Sequence, residues 1–247
     1  MPRQLVVTDD IRFRGSAAHR ANVNGPMLET MVHFKDHFFG DTLSTDNWAA
    51  AVPGTADSIA INEQTGGACR LTTGSSNGDS CMLSGALIWK ASKKAVLEAR
   101  ITITDVSGCG VFVGFTDAKS EVNTSMAIHY PSDALTTAAT NAVGFVIDGD
   151  HSTSSIMLAG VKADSDETAV DSGTDWGDGE TKTLRVETGT GDNGDEAIFW
   201  LDGEVVAYLD DAVTTSTLLC ASVQAITRGG GGSTTVDVHR VDVWQDE

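Results

Sequence analysis

The chain has 247 residues and a formal net charge of −19, from 35 acidic against 16 basic side chains. An acid excess of this size excludes binding to a phosphate backbone through the body of the protein, so nucleic acid is not an expected partner. With 26 glycines and 4 prolines, and Thr, Val, Asp and Ser prominent, the composition favours many short strands joined by Gly and Asp turns over helices.

The charge is uneven. Residues 1–37 hold five basic and four acidic side chains, and the remaining 210 residues hold eleven against thirty-one. The first 37 residues show no sustained period and read either as a disordered terminus or as an extended arm that orders on a partner. Arg3, Arg12, Phe13, Arg14 and Arg20 are its expected contact residues, and Asn24-Gly25-Pro26 breaks any helix there. No apolar stretch reaches 18 residues, so no membrane partner is expected, and no signal-peptide core is visible, which points to synthesis in a cytoplasm. The domain expectation is an arm over 1–37 and a single β-sandwich over 38–247.

In the body, Phe38, Phe39 and Trp48 read as core anchors around a Gly40-Asp41 turn. Residues 57–62 form a short alternating strand, and two further strands flank the turn GSSNGDS. Cys69 and Cys81 sit on either side of that turn, where a disulfide across a hairpin is one reading and two reduced, buried thiols the favoured one. Residues 95–104 alternate cleanly, with Leu97, Ala99, Ile101 and Ile103 on a dry face and Glu98, Arg100, Thr102 and Thr104 on a wet one. Residues 110–115, 142–147 and 156–161 are apolar at nearly every position and read as strands buried on both faces. The long connection 119–141 carries His129-Tyr130-Pro131, and residues 162–181 read as an acidic loop.

Around Asp202-Gly203 two apolar runs meet. Asp and Gly both tolerate the positive φ of a type I′ turn, so a tight hairpin is expected. In the closing strand Val236 and Val238 share one parity, whereas Val241 and Val243 have the other. A period-2 strand changes parity only by an extra residue, which predicts a β-bulge near His239-Arg240. About a dozen short strands without a helical segment indicate an all-β, antiparallel two-sheet jelly-roll sandwich.

The site candidates are few. A β-glucan hydrolase on a sandwich needs carboxylates alternating along one strand face. The clusters Asp164-Ser165-Asp166-Glu167 and Asp202-Gly203-Glu204 lie in turns, so no catalytic residue is assigned and no enzymatic duty is expected. No cofactor is expected except calcium, for which Asp171, Asp175 and Asp178 are a speculative ligand set, with Asp192, Asn193 and Asp195 as a second. Trp176, within the acidic loop, is the first candidate for stacking on a sugar and Tyr130 the second, while Trp48, Trp89, Trp200 and Trp244 read as core.

Several motifs together resemble a known family. These are FFGDTL followed by Trp48, GGACRLTTG from Gly66, LEARI from Leu97 and VGFTDA from Val113. AVGFVID from Ala142, the WLDG hairpin and the strand VDVHRVDVW complete the set. The pattern is similar to the concanavalin A-like (laminin-G-type) jelly-roll virion structural proteins of tailed bacteriophages. The resemblance implies a non-enzymatic head decoration or cement protein on the virion surface. Its partner would be the major capsid protein, and it would act as a homo-oligomer such as a trimer. The alternative is a lectin-like module that adheres to glycans, and a glycoside hydrolase is the third reading.

Overall fold

The computed structural model describes residues 31–120, 125–153, 155–167, 169–229 and 232–247. In chain order the strands are β1 (Met31–Asp36), β2 (Ala49–Ala51), β3 (Ser58–Asn62), β4 (Ala68–Thr72), β5 (Ser80–Ser84) and β6 (Val96–Ile103). There follow β7 (Cys109–Thr116), β8 (Ile128–His129), β9 (Thr136–Thr137), β10 (Ala142–Asp148), β11 (Ser155–Lys162) and β12 (Ser165–Asp166). The last are β13 (Val170–Asp175), β14 (Thr181–Thr190), β15 (Glu196–Leu201), β16 (Glu204–Leu209), β17 (Cys220–Thr227) and β18 (Thr235–Asp246).

All but β8 and β9, which pair with each other, form two antiparallel sheets packed face to face. The first runs β16-β15-β14-β6-β18-β4-β3, with β1 also paired to β18, and the second runs β12-β11-β10-β7-β17-β5-β2, with β13 also paired to β11. This is the expected jelly-roll sandwich. Among the described residues no helix is long and apolar enough to cross a membrane. The pairing of β1 with β18 puts residues 31–36 inside the first sheet, although the sequence reading assigned them to the arm. Arg3, Arg12, Phe13, Arg14 and Arg20 lie outside the described residues.

Period-2 patterning builds the core. Leu97, Ala99, Ile101 and Ile103 of β6 turn inward to meet Val113, Phe115, Phe145 and Leu158 of the second sheet. In β18 the register slips between Val238 and Arg240, so that Val236, Val238, Val241 and Val243 all face inward, which is the expected bulge. Asp202 and Gly203 adopt φ of 49° and 94° and close the β15–β16 hairpin.

β7, β10 and β11 are buried on both faces because the second sheet carries a further apolar cluster on its outside. Met126, Ala127, Ile128 and Ala139 cover Phe112, Val146, Met157 and Ile226 there. Gly114 and Gly144 pair directly across β7 and β10, and a Cβ on either would sit within 2.9 Å of the Phe112 ring. The glycines give that ring its seat.

Other expectations are corrected. β6 has no uniformly wet face, since Glu98 is fully buried and accepts a hydrogen bond from Arg240 Nη2. Trp244 is buried as expected, whereas Trp200 is only half-buried. They flank Arg185, opposite the apolar core, with its guanidinium 5.4 and 5.2 Å from their ring centres. The acidic stretch 162–181 contains β12 and β13. Cys69 and Cys81 belong to strands of opposite sheets rather than to one hairpin. All four cysteines are free and buried, and burial pushes the Cys69 thiol up to about 12. Phe39 is 71% exposed and is no core anchor.

Candidate functional site

At one end of the sandwich the turns after β6, β10 and β13 enclose a cleft of about 370 Å³, within the usual size range for ligand sites. Each turn is set by its own short-range chemistry. Asp105 accepts hydrogen bonds from the Ser107 hydroxyl (2.9 Å) and the Gly108 amide (3.1 Å), which closes the first turn. Asp178 accepts from the Val106 amide at 2.8 Å and ties the third turn to the first. The second packs closely on the first: a Cβ at Gly149 would lie 2.3 Å from the Ser107 carbonyl oxygen, so only glycine fits.

His151 stands on the second turn. Its Nε2 lies 3.5 Å from Asp133 Oδ1, its Nδ1 lies 3.0 Å from the Thr153 hydroxyl, and its ring packs 4.9 Å from that of Tyr130. Asp133 also accepts from the Ser152 amide at 2.7 Å, which holds its carboxyl below the usual range, with His151 acting in the same direction. The cleft therefore presents a carboxylate (Asp178), an imidazole (His151) and the hydroxyls of Ser107, Ser152 and Thr153.

The floor is a buried ion pair. Asp148 receives Arg228 Nε and Nη2 at 2.8 Å each, the Tyr130 amide at 3.0 Å and the Asp150 amide at 3.2 Å. Four donors saturate this carboxylate, so it holds the second turn and the covering segment in place instead of reaching for a ligand. Beside it, burial pushes the His129 imidazole below its ordinary 6.5, and Arg228 adds to this against Asp148. The folded state thus favours neutral His129. Its contribution to stability is complete above about 6.5 and is lost as pH falls through the lowered folded value, because the unfolded chain binds the proton first. His239 shifts in the same direction, chiefly by burial. Urea midpoints at pH 7.5 and 5 should therefore fall less in His129→Gln than in the unaltered protein, and equal falls would overturn this assignment.

The structure separates the sequence candidates. Trp176 lines the cleft, but it is only 2% exposed and its Nε1 donates to the Glu180 carbonyl at 3.2 Å, so it is a wall and not a stacking platform. Tyr130 is half-buried and reaches the cleft only through His151. Asp171, Asp175 and Asp178 are engaged separately, by the Gly173 amide, the Ser155 hydroxyl and the Val106 amide. Among the described residues no three His, Cys, Asp or Glu side chains form a group able to hold a metal ion. His151 and Ser107 were missed in the sequence because each gains meaning only from turns about forty residues apart.

Carboxylates do not alternate along the outward face of β10. The outward positions of β10 are Ala142, Gly144, Val146 and Asp148, the first three under the covering segment and the last held by Arg228.

No family model and no curated protein sequence matches the chain. Solved structures do. LamAcat from Zobellia galactanivorans superposes with a TM-score of 0.60 at 13% identity, covering 90% of this chain and 100% of its own. A variant of LamA from the same organism, solved with laminaritriose and laminaritetraose, gives 0.60 at 14%, covering 87% and 99%. A β-1,3-glucanase from Mycobacterium marinum gives 0.56 at 13%, covering 85% and 97%. At such identity the likeness establishes the concanavalin A-like fold. It also corrects the expectation of a phage capsid decoration protein without enzymatic duty: structures matching nearly the whole chain include a β-1,3-glucanase and a LamA variant solved with laminaritriose and laminaritetraose, and a shared fold does not carry the virion role.

Proposed function

We propose that this chain is a carbohydrate-active β-sandwich that binds a neutral glycan in the rim cleft. The observation that carries the reading is the convergence of Asp178, His151 and the hydroxyls of Ser107 and Ser152 on one cleft. Sugars are polyols, and a carboxylate accepts from their hydroxyls while imidazole and serine groups complete the pattern. The net charge of −19 and the rim carboxylates disfavour anionic glycans. The covering segment closes the outer face of the second sheet, so the glycan is placed at the rim and not on that face.

Titration calorimetry with laminaritriose and other neutral oligosaccharides tests this. Asp178→Asn keeps an acceptor for the Val106 amide and removes the charge. It should weaken binding by about 10- to 100-fold, the loss expected for a charge-assisted hydrogen bond, and His151→Ala should weaken it similarly. Binding unchanged by both substitutions would remove the cleft from consideration. Hydrolysis is the second reading, favoured because two carboxylates, Asp148 and Asp178, border the same cleft. It predicts release of reducing ends that Asp178→Asn abolishes. The four donors on Asp148 make it a poor proton shuttle, which places binding first.

A further inference from the structure

A second concave surface shares no residue with the rim cleft. It has a volume of about 400 Å³ and lies between the turn after β1 and the turn joining β3 to β4, bordered by Phe39, Asp41, Asn62, Glu63 and Gln64. We infer that this surface is a separate saccharide site, in which Phe39 stacks on the apolar face of a neutral hexopyranose and the side chains opposite it take the hydroxyls.

Three independent features of the chain converge on it. The first is the backbone. Phe38 adopts a φ of 55°, a left-handed conformation that a phenylalanine rarely takes, and Gly40 follows at 119°. Such strain persists only where the surroundings enforce it, and it clusters at ligand sites. Here Asp36 enforces it, accepting from the Phe38 amide at 2.7 Å and from Trp48 Nε1 at 2.8 Å. The twist sends Phe38 into the core against Trp48 and turns the next ring outward.

The second is the platform. Phe39 is 71% exposed, and its ring lies parallel to that of His37, centres 5.4 Å apart and planes within 9°. Gly67 supports the pair from below at a φ of 70°, where a Cβ would stand 2.8 Å from the Phe39 ring and 2.9 Å from the His37 carbonyl oxygen. A flat aromatic ring held rigid from behind, with its outer face in water, costs little further ordering when a ligand stacks on it.

The third is the polar wall. Gln64 Nε2 is buried and has no hydrogen-bond partner among the described residues. A buried amide donor without an acceptor is costly, and a rotation of the Gln64 side chain toward the concavity that it borders would let a ligand hydroxyl satisfy it. Asn62 adds a second amide, and the exposed carboxylates of Asp41 and Glu63 are acceptors only. Two amides, two carboxylates and an aromatic face match a polyol with an apolar side. The carboxylates select neutral sugars against uronic or sulfated ones.

The test uses saturation-transfer NMR and titration calorimetry on the full chain, with methyl β-glucopyranoside, laminaritriose and tri-galacturonic acid as probes. Phe39→Ala should weaken binding of the neutral probes at this site about tenfold or more. Phe39→Trp should retain it, and tri-galacturonic acid should give no transfer. Because Phe39 is exposed, its alanine variant should unfold at the same urea midpoint as the unaltered protein. The variant His151→Ala separates the two sites. Binding abolished by His151→Ala but indifferent to Phe39→Ala overturns this inference and leaves the rim cleft standing. Binding that survives His151→Ala and falls with Phe39→Ala supports it whatever the fate of the rim cleft. Tri-galacturonic acid binding as tightly as laminaritriose overturns it, and so does the absence of any saccharide binding.

Discussion

Replacing Arg228 by methionine is expected to lower the unfolding free energy by about 3–5 kcal/mol, the usual loss when one partner of a buried ion pair is removed. Asp148 has no exposed side-chain surface and would be left with only two backbone amides as partners. Those amides belong to Tyr130 and Asp150, so the effect spreads to the covering segment and to the turn that carries His151. Glycan binding should therefore weaken along with stability in this variant. Urea unfolding followed by tryptophan fluorescence gives the magnitude, and a loss below about 1 kcal/mol, the scale of an exposed pair, would show that solvent reaches the carboxylate. The double variant Asp148→Leu/Arg228→Met should recover only part of the loss, because the two amides would then lack an acceptor.

Trp176→Ala should cost a similar amount, about 3–5 kcal/mol, through the cavity left by a large buried side chain. The indole lies in the main core, donates to the Glu180 carbonyl at 3.2 Å, and carries the Lys182 ammonium 5.8 Å above its ring. Trp176→Phe refills most of the space, loses the donor and should cost clearly less. Had Trp176 been a sugar platform, alanine would abolish binding without moving the unfolding midpoint. Measuring both quantities on one preparation decides which role the residue has, and an unmoved midpoint would refute the core assignment.

Much of the sandwich was legible because parity and turn chemistry are local. The switch of parity after Val238 required a bulge, Asp202-Gly203 required a primed turn, and the unbroken apolar runs of β7, β10 and β11 required cover on both faces. What failed depended on distant neighbours. β13 reads VDSGTD and offers no apolar alternation, so pairing with β11 makes it a strand where its own sequence does not. Glu98 has the parity of a wet position, and only the placement of Arg240 across the bulge shows it to be dry. Phe38 and Phe39 looked alike as core anchors until a single left-handed residue turned one of them outward. The rim was half visible. Trp176, Tyr130 and Asp178 were singled out and do lie at or beside the cleft, though the first is a wall and the second a support. His151 and Ser107 come together only through the tertiary fold.

The apolar cluster outside the second sheet has a consequence for how the molecule comes apart. That sheet is a party wall between two dry compartments, one toward the first sheet and one beneath residues 125–141. Tyr130 and Ala127 fasten the outer compartment to Asp148 and Gln224, both of them strand residues of the wall itself. Neither compartment can flood without wetting a face that the other relies on, so the covering segment should exchange its amide hydrogens with the sheet and not as a lid that opens alone.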